Sequence, residues 1–118
     1  MILSLLRSLK VRQIGQVQMH VSIDGTSASP VASGPDKAFV ESVVKNATGS
    51  YTITFKEKAK SNLVVTSVLC LGTDHKIPSV PATTTNSITI NLENRLGAAA
   101  DADIMIQIQY FDQLSYFF

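Results

Sequence analysis

The feature that most constrains this chain is the alternation of apolar and polar residues in short segments bounded by turn sequences. Residues 50–56, 87–92 and 103–110 each place apolar side chains at every second position. A period of two puts successive side chains on opposite faces of a β-strand, whereas a helix has a period of about 3.6. Short alternating segments separated by turns are typical of antiparallel sandwiches and barrels. The pattern therefore predicts an all-β chain of six or seven strands, an antiparallel β-sandwich of the jelly-roll or immunoglobulin-like kind.

Further segments extend this prediction along the chain. Residues 14–23 alternate and predict a half-buried strand, and residues 37–45 alternate as well, although a single helical turn stays open there. Residues 63–71 are almost all apolar, which predicts a central strand covered on both faces. Residues 26–35 and 81–86 are polar and rich in turn formers, so we expect exposed loops, the first of them mobile.

The first 13 residues differ in period from the rest of the chain. Ile2, Leu5, Leu6 and Leu9 follow a helical spacing, which predicts a short helix or arm with one apolar stripe. That stripe packs either on the chain's own domain or on a neighbouring subunit. Since 118 residues suit one core, we expect an arm over residues 1–13 and one β-sandwich domain over residues 14–118.

The charge content limits the classes of partner. The net charge is +1, so no broad field is present to attract nucleic acid or an anionic membrane, and we expect neither as a partner. Charged residues make up 16% of the chain, below the roughly 25% that is usual for soluble domains. Such a low charge density indicates that part of the surface is covered by another chain.

Residues that carry chemistry are few and scattered. Cys70 is the only cysteine and lies in an apolar segment, so we interpret it as a buried hydrophobic residue. His20 and His75 have no nucleophile or ligand motif around them, and Asp101 and Asp103 are more typical of a loop end than of a paired catalytic site. We therefore expect no enzymatic activity, no metal site and no cofactor.

Uncharged amides and aromatic residues mark a candidate subunit interface. Glutamines lie in the polar phase of the first and last predicted strands, where they resemble an interface that forms hydrogen bonds more than a charged, solvated face. Five of the eight aromatic residues lie in the last nine positions, and such a cluster is costly to expose. The residues assigned to a subunit interface are Gln107, Gln109, Tyr116, Phe117 and Phe118.

Roughly the C-terminal 70 residues of the chain resemble a group of viral proteins. The order Gly49-Ser-Tyr-Thr-Ile-Thr-Phe55, apolar residues 63–71, alternating residues 87–92, Gly97 and a final strand over 103–110 is similar to that of small β-rich virion proteins of tailed bacteriophages. In that group the pattern recurs in capsid decoration (cement) proteins, head fibres and fibre modules. The resemblance implies a homotrimer and carries over no catalytic residue.

From this resemblance we expect a capsid decoration protein that binds the outside of the head as a trimer and stabilises the shell, with the major capsid protein as its partner. The protein would be made in the host cytoplasm and reside on the capsid surface of the virion. The alternative is a receptor-binding or glycan-binding module of a head or tail fibre, which would use loops 26–35 and 81–86. An apolar stripe with basic residues suits a neighbouring protein surface, so the residues assigned to capsid contact are Leu5, Leu6, Arg7, Leu9, Lys10 and Arg12.

Overall fold

The computed structural model describes residues 16–59, 61–72 and 74–111. The predicted arm over residues 1–13 and the aromatic residues Tyr116, Phe117 and Phe118 lie outside them. Eight strands and one short 3-10 helix follow each other along the chain. They are β1 (Gln16–Ile23), β2 (Ala32–Ser33), the 3-10 helix Lys37–Phe39, β3 (Val40–Ala47), β4 (Ser50–Phe55), β5 (Val64–Leu71), β6 (Ile77–Thr83), β7 (Ser87–Glu93) and β8 (Asp103–Phe111).

The strands form two antiparallel sheets of four strands each. Sheet A has the order β2-β1-β8-β5, and sheet B has the order β3-β4-β7-β6. Strands β3 and β4 form one hairpin and β6 and β7 another, while the chain crosses between the sheets after β2, β4, β5 and β7. The prediction of an all-β antiparallel sandwich is confirmed.

The core lies between the sheets and consists of the apolar phase of the four central strands, together with Leu63 and Ala102 from the residues just before β5 and β8. In β4, β7 and β8 every second residue is buried, as the alternation predicts. Tyr51 and Ile53 of β4 lie directly opposite Ile90 and Ile88 of β7. The buried apolar residues are Met19, Val21, Ile23, Tyr51, Ile53, Phe55, Leu63, Ile88, Ile90, Leu92, Ala102, Ile104, Ile106 and Ile108.

The prediction that residues 63–71 form a central strand covered on both faces is wrong. Among the described residues, strand β5 is an edge strand of sheet A and pairs with β8 alone. Its inner side chains pack partly on the core, but the outer side chains of Val64, Leu69 and Leu71 are 50%, 55% and 44% exposed. An apolar sequence without alternation therefore marks an exposed apolar strand here, not a doubly covered one.

Two other segments differ in detail from the sequence prediction. Residues 37–39 form the 3-10 helix, so strand β3 starts only at Val40. A register shift between Val40 and Ser42 changes the phase of this strand, and Val43 and Lys45 then lie opposite the buried Ile53 and Tyr51.

Both predicted loops are partly ordered into strands. Residues 32–33 form β2, and the Val31 N–H donates to Asp24 Oδ1 at 2.6 Å within the segment predicted to be mobile. Strand β6 runs to Thr83, which reduces the second loop to a turn. Strand β6 contains Pro78 and Pro81, which have no N–H to donate to a neighbouring strand, and it lies at the edge of sheet B, where such prolines are tolerated.

Candidate subunit interface

The outer face of sheet A carries the amides that the sequence assigned to an interface. Because the inner positions of β1 and β8 are buried, the alternate positions point outward, and the pairing register arranges them in rows across the sheet. We call this surface the amide face. Its members are Gln18, His20 and Ser22 of β1, Asp103, Met105, Gln107 and Gln109 of β8, and Val64, Ser67, Leu69 and Leu71 of β5. Asp103, its acidic residue, lies at the beginning of β8, opposite Leu71.

The centre of the amide face is uncharged and partly apolar. Leu69 lies directly opposite Met105, and these side chains are 55% and 46% exposed. Beside them, Gln107 Nε2 donates to Gln18 Oε1 at 3.3 Å. Exposed apolar side chains next to amides form a surface that a second protein can cover without removing a charge from water.

The outer face of sheet B has a different composition and provides an internal comparison. Its central strands present short hydroxyl side chains, among them Thr52 and Thr89, which lie opposite each other with their Oγ1 atoms 3.3 Å apart. Short hydroxyl side chains are ordinary residues for a solvated strand face. The two sheets therefore differ in their central strands: β8 of sheet A exposes Met105 among glutamines, whereas the exposed apolar side chains of sheet B, among them Val44 and Ile77, lie on its edge strands β3 and β6.

A turn forms a raised margin on the β1 side of the amide face. The His20 N–H donates to Asp36 Oδ2 at 2.7 Å, and the Asp36 N–H donates to the His20 carbonyl oxygen at 3.2 Å. These bonds hold Pro35 above the sheet. Between Pro35 and Leu69 lies a shallow depression of about 280 Å³ whose floor is formed by β1 and β8.

Of the residues predicted for a subunit interface, the structure describes two. Gln107 and Gln109 lie on the amide face, in the central strand of sheet A, and Gln18 lies directly opposite Gln109. Leu69 and Met105 also lie on this surface, although they were not predicted to belong to it. Met105 could have been predicted from the sequence, because it is an apolar residue in the otherwise polar phase of β8.

A hydrogen-bonded network at one end of the sandwich joins residues that are far apart in sequence. Asp101 Oδ2 lies 2.7 Å from Lys45 Nζ, and Asp101 Oδ1 accepts from the Gly49 N–H at 2.7 Å. The buried Tyr51 Oη lies 2.9 Å from the same carboxylate oxygen and 2.7 Å from the Gly25 carbonyl oxygen. This network connects the loop before β8 to the β3–β4 hairpin and to the turn after β1.

The environment of the network shifts the pKa of two groups. Burial, together with the hydrogen bond to and the charge of Asp101, raises the pKa of Tyr51 far above its ordinary value of 10.0, so the phenol stays neutral. Partial burial of Asp101 acts to raise its pKa, but the hydrogen bonds from Lys45, Gly49 and Tyr51 outweigh it and lower the pKa below 3.8. Asp101 is therefore a structural carboxylate that stays ionised, not a proton donor near neutral pH.

A small cleft opens at the other end of the sandwich. It has a volume of about 180 Å³ and lies where the core ends, with Met19, Phe55, Leu63 and Tyr110 among its lining residues and Lys56 at its rim. Gln16 of β1 pairs with Phe111 of β8 at this end, so the first and last described residues both lie there.

Among the described residues, no three His, Cys, Asp or Glu side chains lie close enough together to hold a metal ion. Burial raises the pKa of Cys70, with Lys76 opposing the shift, and this favours the protonated thiol over a reactive thiolate. In the same part of the chain, no helix has the length and apolar character needed to cross a membrane.

Comparison with known proteins adds no relative. A scan against protein-family models, a search of curated proteins and a search of solved structures each returned no match.

Proposed function

We propose that this chain is a structural protein of the bacteriophage virion, a capsid decoration or cement protein that binds the outside of the head as a homotrimer and stabilises the shell. The resemblance of residues 49–110 to small β-rich virion proteins supports this role. The proposal places the protein on the capsid surface after synthesis in the host cytoplasm, with the major capsid protein as partner. It assigns the chain no reaction.

The observation that carries the association part of the proposal is the composition of the amide face. Met105 of the central strand β8 and Leu69 of the edge strand β5 are each about half exposed on this face, and the adjacent glutamines offer hydrogen bonds without charge. Burial of apolar area on association contributes about 25 cal/mol per Å², so a subunit contact over this face is favourable. Low overall charge is a further property that suits a surface covered by other subunits.

Placing a charge at the centre of the amide face tests this contact. We expect Gln107→Lys to lower the molar mass of the purified protein in solution, here called its particle mass, which light scattering measures. A lysine at this position loses its hydration when a second subunit covers the face. The homotrimer predicts for the unaltered protein three times the chain mass of 12.7 kDa, or a multiple of that trimer mass. Thr89→Lys is the matched control, since Thr89 is also an outward residue of a central strand but lies on sheet B. An equal loss of mass in both variants contradicts the assignment.

The capsid contact is tested separately through the N-terminal arm. Deletion of residues 1–12 removes all six residues assigned to shell contact: Leu5, Leu6, Arg7, Leu9, Lys10 and Arg12. We expect the shortened chain to remain a folded trimer that no longer sediments with capsids lacking the protein. Undiminished capsid binding overturns the assignment, and binding of the isolated protein to glycans or host cells favours a fibre module instead.

A further inference from the structure

The four edge strands of the two sheets are protected to different extents against pairing with another chain. Exposed edges present unpaired N–H and C=O groups, and natural sheets block them with short strands, prolines, bulges or charged residues. Strand β2 has two residues, and β6 contains Pro78, Pro81 and a register shift between Ser79 and Ala82. Strand β3 contains Glu41, Lys45 and two register shifts. Each of these three edges carries a recognised block.

Strand β5 is the exception. It has eight residues with neither a proline nor a charged side chain, and its one register shift lies near its beginning, between Val65 and Ser67. From Ser67 to Leu71 it follows β8 without interruption. Such an edge is a template for another strand, and in an isolated chain it is a liability for aggregation.

We propose that the edge of β5 that no described strand covers pairs with β5 of a second copy, antiparallel about a two-fold axis, so that sheet A continues across two subunits. A two-fold contact brings the strand against itself, and residues on its inner side meet inner residues. With the axis at Leu69, for example, Val68 of one copy lies opposite Cys70 of the other, and both are half-buried side chains that a neighbouring strand covers further. The outward side chains of Leu69 and Leu71 of the two copies then make the amide face continuous from one subunit to the other.

The absence of charge argues for a second copy over other occupants. An antiparallel partner with charged side chains has no ion pair to form along β5, since the strand carries none. A second β5 offers the same backbone groups and the same apolar side chains, and self-pairing places no like charges side by side. The inference rests on residues 64–71 and their pairing, and it goes beyond the proposed trimer because the contact is two-fold.

Hydrogen exchange on the unaltered chain tests strand pairing directly. In an antiparallel ladder, alternate residues direct their N–H groups to opposite sides. In a strand paired only with β8, half of the β5 amides exchange readily with water, whereas pairing with a second copy protects both halves. We expect slow exchange at consecutive β5 amides, and fast exchange at every second one overturns the proposal.

A variant separates the strand edge from the amide face. An inward-pointing lysine on an edge strand reaches water in a free subunit but is trapped when another strand pairs. We expect Val68→Lys to halve the particle mass and weaken association roughly 100-fold or more. Val43→Lys is the control, because Val43 is a half-buried valine of edge strand β3 that packs on the same core, and its particle mass is expected to be unchanged. If Val68→Lys fails to fold, the hydrogen-exchange pattern of the β5 amides in the unaltered chain still shows whether β5 pairs with a second strand.

The mass of the unaltered protein distinguishes this proposal from the proposed function. Twice the chain mass supports β5 pairing and contradicts the homotrimer, and six times the chain mass supports both. Three times the chain mass, unaffected by Val68→Lys, overturns β5 pairing and leaves the homotrimer standing. A wild-type chain that stays a monomer throughout a concentration series contradicts both.

Discussion

Replacing Gly49 with alanine is expected to destabilise the sandwich by about 3–5 kcal/mol, since it combines backbone strain with overpacking. Gly49 has a φ of +70°, which residues with a Cβ rarely adopt. A Cβ at this position would lie 2.7 Å from the Leu92 carbonyl oxygen and 2.8 Å from backbone atoms of Ala100. These are backbone atoms held by hydrogen bonds, because the Leu92 N–H donates to the Gly49 carbonyl oxygen and the Ala100 N–H to that of Leu92.

Denaturant unfolding followed by circular dichroism measures this change, and Gly97→Ala is its control. Gly97 also has a positive φ, of +84°, but a Cβ there meets nothing within 4 Å. Its replacement therefore costs only the conformational strain, about 1–2 kcal/mol. If the two variants lose equal stability, the close packing of Gly49 against the chain before β8 is not what requires glycine.

The second large effect is expected at Asp101. Asp101→Asn keeps the size of the side chain but replaces the charged carboxylate to which Lys45, Gly49 and Tyr51 are hydrogen-bonded. Hydrogen bonds to charged groups contribute about 1.5–3 kcal/mol each. We expect a loss of about 2–4 kcal/mol near neutral pH for this quarter-exposed carboxylate. Asp74→Asn, at an exposed carboxylate in the loop after β5, serves as control and should change stability little.

The same substitution should alter the pH dependence of stability. The pKa of Asp101 is lower in the folded chain than its ordinary value of 3.8, so the unfolded chain takes up the proton first as the pH falls. The stabilisation is complete above that value and is lost as the pH drops through the folded pKa. Urea unfolding between neutral pH and acid should show a shallower decline for Asp101→Asn than for the unaltered chain. Parallel curves for the two proteins contradict the role assigned to this carboxylate.

Much of the fold followed from residue patterns because burial on one face imposes a period of two. Tyr51, Ile88 and Ile106 belong to such patterns, and each is buried between the sheets. Strand β5 could not be placed in the same way, because a nearly continuous apolar sequence has no phase to show which side is covered. Whether such a strand is central or at an edge depends on sheet order, which the sequence of a single strand does not contain.

The amide face and the Asp101 network differ in how far the sequence predicted them. Gln107 and Gln109 were assigned correctly to the outward phase of β8, whereas their exposed neighbour Leu69 belongs to a strand whose position was predicted wrongly. Asp101 was predicted only as a loop residue. Its partners Lys45 and Tyr51 lie 56 and 50 residues away, and no local pattern links residues at that distance.

The two ends of the sandwich are not equivalent, and this gives the molecule a direction. Gln16 and Phe111 are paired at one end, whereas the loop around Gly97 lies at the other, where Leu96 is 93% exposed. A peptide inserted between Leu96 and Gly97 therefore lies at the end opposite to Gln16 and Phe111, the first and last described residues. If the proposed capsid contact is made at the end where Gln16 and Phe111 pair, the loop around Gly97 points away from the shell. A foreign peptide inserted in this loop is then displayed on the outside of the capsid.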